Sequence, residues 1–203
     1  MCSLLFDFDG TLFDTEAGHE AAYLKTFLEF NLGECPPYES LKGIKTMEVF
    51  ARYQSVFQDT HKLAQYKSAS YQANLDQVKT LVDFNLLAQL VQKDFKLYIV
   101  TGGSRKSIDA LLDLHQVRDL FQGIVTAEDY GASKPDPEPF LHGIRTYDIQ
   151  GEVQGIEDSI QGIQSLKAAH VRAVGVHNPL IESLSDVYYS SINTYLTELI
   201  QTR

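Results

Sequence analysis

The stretch Leu4-Leu5-Phe6-Asp7-Phe8-Asp9-Gly10-Thr11 decides how the chain is read. So short an apolar run, ended by a glycine turn, reads as a strand covered on both faces, and residues two apart in a strand point the same way. Asp7 and Asp9 therefore share a face at the end of a buried strand. Two like charges held that close persist only where a cation, a proton or strong donors compensate them. A plain turn would also use Asp and Gly, but three further polar clusters follow strand-like runs. Leu97-Tyr98-Ile99-Val100 leads into Thr101-Gly102-Gly103-Ser104, and Gly123-Ile124-Val125-Thr126 precedes Ser133-Lys134-Pro135-Asp136-Pro137. Val153-Gln154-Gly155-Ile156 leads into Glu157-Asp158-Ser159. In an open α/β sheet, ligands bind at the carboxyl ends of the strands, so the four clusters are expected to meet.

The rest of the chain frames that site. After residue 84, helical patterns over Phe84–Gln92, Lys106–Leu114, Pro139–Tyr147 and Ile160–Ala169 alternate with apolar runs, and Val171–Val176 adds another strand. This alternation predicts an α/β fold with a doubly wound parallel sheet. Between residue 15 and about 80, Ala21, Ala22, Leu24, Phe27 and Leu28 recur at helical spacing, and Met47, Val49 and Phe50 open another helical pattern. That region reads as amphipathic helices without strands. The expected division is a core of residues 1–14 and 82–203 with a helical unit, 15–81, inserted after the first strand. A chain of 203 residues suits one core and a modest insertion.

A net charge of -10 argues against nucleic acid or an anionic membrane as partner, since both need basic patches. Cys2 and Cys35, the only cysteines, are too few and too far apart for a disulfide framework. No apolar run approaches the ~20 residues of a membrane span. A cytoplasmic protein is expected.

The four clusters, in this order and across nearly the whole chain, resemble the four motifs of the haloacid dehalogenase superfamily, in its phosphotransferase members. Asp9 separates those members from the dehalogenases, which lack an acid there. The resemblance implies a core of that family's Rossmann-like type carrying a small helical cap. It makes Asp7 the nucleophile, since a carboxylate can attack phosphorus and form an aspartyl phosphate. Asp9 would protonate the leaving oxygen, activate water, and give Mg²⁺ its backbone carbonyl. Asp158 would complete the metal site with Asp7, and Glu157 would support it; Mg²⁺ favours a few carboxylates together with water and substrate phosphate. Thr101 and Lys134 would hold the phosphoryl group, with the amides of Gly102 and Gly103. Simpler roles stand beside these: a helix-start acid for Glu157, a helix cap for Thr101, and a solvated or rim charge for Arg105.

Asp14-Thr15-Glu16-Ala17-Gly18-His19 resembles the β-phosphoglucomutase branch, in which a histidine at this offset reaches the acid/base from the cap. Lys67-Ser68-Ala69-Ser70-Tyr71 resembles that branch's Lys-x-x-x-Tyr, whose i, i+4 spacing puts both side chains on one helix face. Leu41-Lys42-Gly43-Ile44 is similar to its Leu-Lys-Gly segment, but Thr46 stands where a mutase places an arginine for the distal phosphate. His170 replaces a glycine, an offset expected at a helix C-cap. The expected function is therefore a Mg²⁺-dependent phosphatase of a small phosphate ester, a sugar phosphate by resemblance. A phosphosugar mutase is the second reading. A phosphonate hydrolase would need Lys67 or a neighbour desolvated in the site. A non-catalytic binding protein would have lost an acid or the lysine, whereas Asp7, Asp9, Lys134 and Asp158 are all present.

Overall fold

The computed structural model describes residues 2–41 and 44–202. Strand β1 (Cys2–Phe6) is buried at all five residues. It lies between β4 (Lys96–Val100) and β6 (Glu152–Glu157), parallel to both, with Phe6 opposite Ile99 on one side and Ile156 on the other. Strands β5 (Gly123–Val125), β7 (Arg172–Val176) and β8 (Val187–Tyr189) complete a parallel sheet in the order β5-β4-β1-β6-β7-β8. The strand order reverses beside β1, which opens a crevice at the carboxyl ends of β1, β4 and β6.

Alternation along the strands sorts the two cores. Leu4, Phe6, Leu97 and Ile99 pack with α4 (Phe84–Gln92), α5 (Arg105–Leu114) and α8 (Ile192–Thr202). Leu5, Tyr98 and Val100 face the other way, onto α6 (Glu138–Thr146) and α7 (Ile160–Ala168). Covering both faces is why β1 carries no polar residue inside the sheet beyond Ser3. His170, directly after α7's last turn, has φ 57°, the left-handed conformation in which its amide bonds back to Lys167.

After β1 the chain leaves the sheet for α1 (Glu16–Glu29), α2 (Thr46–Ala51) and α3 (Thr60–Gln72). These share a separate apolar cluster built on Tyr23, Phe27, Val49, Phe50 and Leu63. The expectation of helices without strands is corrected at the margins. Phe13–Asp14 (β2) pairs antiparallel with Lys79–Thr80 (β3), tying together the points where the chain leaves and rejoins the sheet. Two-residue strands are too short to leave a period-2 pattern. Lys42 and Gly43 of the Leu-Lys-Gly segment lie outside the described residues. Among the described residues, no helix is long and apolar enough to cross a membrane.

Candidate active site

The buried centre of the crevice is one ammonium among carboxylates. Asp7 continues β1's pairing, its amide donating to Ile156 O at 2.9 Å, so its side chain leaves the strand end at a fixed point. Lys134, from the loop after β5, donates to Asp7 Oδ1 at 2.6 Å, Glu157 Oε1 at 2.6 Å and Val100 O at 3.0 Å. An ammonium has three donors, and all are used. Burial opposes the charge on Lys134, but the carboxylates of Asp7 and Glu157 outweigh it and hold the ammonium above the ordinary lysine range. Asp7 is raised well above the usual carboxyl range, by burial first and then by the charge of Glu157, against the pull of Lys134.

Asp158 and Glu157 stand at the end of β6. Asp158 accepts from Thr11 Oγ1 at 3.3 Å, and its carbonyl accepts from Asn178 Nδ2 at 2.9 Å. Gly10 has φ 83°, and a Cβ there would lie 2.2 Å from Asp158 Oδ2, so only glycine lets this turn approach the acid. Glu157 is fully buried; its second oxygen accepts from the amides of Asp158 and Ser159 and from Ser159 Oγ. It is not the helix cap that its position allowed, because Ser159 fills that place, accepting from Gly162 N at 3.0 Å. Ligand oxygens of Asp7, Glu157 and Asp158 all lie within 4.8 Å of one another, a set of hard donors suited to a metal ion.

Thr101 is buried at the end of β4, but its hydroxyl accepts the Gly103 amide at 2.9 Å. The two glycine amides therefore do not both face the cavity freely, as the sequence suggested. Thr101 does not cap a helix either: Ser104 holds the N-cap position of α5. Gly102 lines the cavity. Arg105 is not a rim charge for substrate, since it bonds Asp129 at 2.6 Å and Ile124 O at 3.0 Å.

The helical insertion closes the other side. His19 Nε2 on α1 lies 3.3 Å from Asp9 Oδ1, and His19 Nδ1 lies 2.6 Å from Lys67 Nζ on α3. A protonated lysine can only donate, so Nδ1 accepts and Nε2–H donates to Asp9. Burial pushes Lys67 down to about 8, against the charge of Asp9. Burial and then the charge of Lys67 lower His19. For Asp9, burial opposes ionisation, but the hydrogen bond and charge of His19 prevail and hold its carboxyl low. The His19 ring stacks on Tyr71, centroids 4.0 Å apart.

Asp9, Lys67 and Asp158 thus line one cavity of about 340 Å³, roofed by Tyr23, Tyr38, Tyr71 and Met47. Sequence reading missed Tyr23, Tyr38 and Lys45 on its wall, and Thr11 and Asn178 behind Asp158. Thr11 and Asn178 were signalled only by lying just past strand ends. Thr46 accepts from Tyr23 OH at 3.4 Å.

Residues 4–176 match the family model of haloacid dehalogenase-like hydrolases. The chain belongs to that family. It is similar to the fructose-1-phosphate phosphatase YqaB of Escherichia coli (strain K12), at 28% identity over 179 residues, covering 85% of this chain and 95% of that one. Validoxylamine A 7'-phosphate phosphatase of Streptomyces hygroscopicus subsp. limoneus is 28% identical over 183 residues, with 85% and 84% covered. The solved β-phosphoglucomutase of Clostridium difficile superposes with a TM-score of 0.84 at 25% identity, over 98% of this chain and 97% of that one. The chain is a phosphoric monoester hydrolase of this family.

Gly162 offers a test of the buried centre. A Cβ there would lie 1.8 Å from Glu157 Cδ, so the helix must present glycine for Glu157 to reach Lys134. Gly162→Ala improves helix propensity by roughly 1 kcal/mol yet should lower kcat by tenfold or more as Glu157 shifts and releases Lys134. Steady-state kinetics beside a thermal melt check this: full activity in the variant would show that Glu157 does not position the lysine.

Proposed function

We propose that this enzyme is a Mg²⁺-dependent phosphatase of small phosphorylated metabolites of the sugar-phosphate kind, with residues 15–81 as a cap over a core of residues 1–14 and 82–203. The observation that carries this reading is that two acids two residues apart are compensated separately, Asp7 by Lys134 and Asp9 by His19, on one cavity. Their motif positions assign their roles, and against burial and the charge of Glu157, Lys134 pulls Asp7 toward the ionised form that attack needs. Asp7 attacks phosphorus as the bond to the leaving oxygen breaks, and Asp9, which must first take up a proton from solvent against the pull of His19, gives it to that oxygen. Asp9 then takes a proton from the water that cleaves the aspartyl phosphate, which frees inorganic phosphate and restores the Asp7 carboxylate. The hydrogen bond from His19 favours ionised Asp9, the form this second step uses.

With its three donors on Asp7, Val100 O and Glu157, Lys134 offsets the charge of the transferring group through space, and Thr101 and Gly102 shape its pocket. The donor set fits Mg²⁺: three carboxylates converge at the strand ends, two of them on one ammonium. Asp7, Asp158 and the Asp9 carbonyl would hold the ion, with Glu157 in support. When bound, it offsets negative charge shared by the acids and the phosphate.

The mutase reading is weakened by Thr46, whose hydroxyl faces Tyr23 and carries no charge for a distal phosphate. Phosphonate hydrolysis gains one observation, the burial of Lys67, its stated requirement. Against it, Lys67 Nζ is engaged by His19. Borohydride reduction with a phosphonate aldehyde decides: mass added at Lys67 would establish the amine-nucleophile route, and none would exclude it.

Asp7→Asn keeps the side chain's shape and an acceptor for Lys134 but not its charge or nucleophilicity, so turnover should fall on the order of a thousandfold or more in a variant that still folds by circular dichroism. Near-wild-type rates, or no phosphate ever trapped on Asp7 by rapid quench, would remove the covalent route. Chelation should abolish activity and Mg²⁺ restore it, while Ca²⁺, with its larger and looser shell, substitutes poorly; activity in a stripped preparation would refute the metal assignment. A screen of phosphorylated metabolites with Mg²⁺, read as kcat/KM, identifies the substrate.

His19→Ala and Lys67→Ala should each lower kcat/KM for the preferred metabolite by about 1–3 kcal/mol of transition-state stabilisation. For 4-nitrophenyl phosphate, whose leaving group needs little protonation and reaches little of the cap, the loss should be smaller. Equal effects on both esters would detach these residues from the leaving group.

A further inference from the structure

One set of contacts across the cavity mouth plays no part in the chemistry above. Lys45, just before α2, reaches the loop that carries Lys134: its Nζ donates to Tyr130 O at 2.7 Å and Gly131 O at 3.3 Å and lies 4.2 Å from the Tyr130 ring centroid. One turn on, Glu48 accepts from Ser133 Oγ at 3.0 Å. From the core side, Tyr130 OH donates to Thr101 O at 3.0 Å, and Glu138 accepts the amides of Gly131 and Ala132. The loop is thus pinned between the two halves of the molecule, immediately before Lys134.

We propose that Lys45 and Glu48 form a clasp that closes the helical insertion over the core without a second anionic group on the substrate, with Lys45 as a positioning residue for the Lys134 loop. The proposal rests on the phosphatase reading and deepens it. A positive charge at the start of a helix opposes the helix dipole, so α2 itself does not favour a lysine there. Its favourable partners are two backbone carbonyls and an aromatic face on the other half of the molecule, a charge-assisted arrangement. Carbonyls are permanent partners, whereas a distal phosphate is present only on some substrates. With two of its three donors on carbonyls, Lys45 is poorly placed to grip such a phosphate, and its neighbour Thr46 brings no charge. A monophosphate therefore meets a cap already able to close.

The test uses the Mg²⁺-loaded full chain with Lys45→Met, Lys45→Arg and Glu48→Ala. Amide hydrogen exchange across residues 130–134 should quicken several-fold in Lys45→Met and Glu48→Ala while exchange in β1 stays unchanged. On 4-nitrophenyl phosphate and on the best sugar monophosphate from the screen, Lys45→Met should lower kcat about tenfold with KM within twofold, and Lys45→Arg should recover most of it. Unchanged exchange, unchanged kcat, or a loss confined to KM for bisphosphates overturns the clasp. If the wild type hydrolyses no phosphate ester, the phosphatase reading fails, and the exchange measurement still decides whether the clasp exists.

Discussion

A buried ammonium shared by two carboxylates constrains everything around it. Lys134 is almost fully enclosed, and removing one partner of such a group leaves an uncompensated charge in a low-dielectric interior. Its three acceptors come from three strand ends: Asp7 directly follows β1, Val100 ends β4 and Glu157 ends β6. The sheet order and register at those ends must therefore agree before the lysine can be satisfied. Gly162 is glycine because Glu157 needs the space, and Gly10 is glycine because Asp158 does. Hydrophobic burial builds the sheet, and the ammonium fixes which strand ends converge.

The cap side repeats the logic with a chain of donors. Lys67 donates to His19, and His19 to Asp9. Stacking on Tyr71 holds the imidazole in plane while the lysine sets its tautomer. Asp7 and Asp9 leave the same strand end, yet one bonds to the core's Lys134 and the other to the insertion's His19, which would set the proposed nucleophile apart from the proposed acid/base. A movement of the insertion would alter the surroundings of Asp9 directly and reach Asp7 only through the Lys134 loop that Lys45 and Glu48 hold.

The legible parts of the sequence were those in which one short segment carries its own evidence. β1 declares itself by an apolar run ending in acids, and α4 by its amphipathic run from Phe84 to Gln92, capped by Asp83. The helix C-cap at His170 came from the resemblance, whose glycine it replaces, and His170 occupies a left-handed position there. Parts whose meaning lies in a distant partner stayed hidden. β2 and β3 are two residues each; β8 and α8 follow Val176, past the last apolar run that the sequence reading used. Lys45 reads as one surface lysine among several, since its partners are main-chain carbonyls 85 and 86 residues away. The Gly103 amide looked available for phosphate, but the rotamer of Thr101 decides where it goes, and one-dimensional pattern does not fix a rotamer.

Charge balance links metal and substrate. The centre holds three carboxylates against one ammonium, and the chain as a whole carries a net charge of -10. A phosphate monoester would bring about two further negative charges into a buried pocket. Without another cation that addition is opposed by Asp7, Asp158 and the long-range field together. Lys67 offers limited help, because burial has lowered its affinity for a proton and its ammonium is directed at His19. A divalent cation held by Asp7 and Asp158, as proposed, would cancel the excess of negative charge that three carboxylates leave beside one ammonium, and its remaining coordination positions would suit phosphate oxygens. Metal and phosphate would therefore favour each other's binding in this pocket, because each lessens the charge that opposes the other.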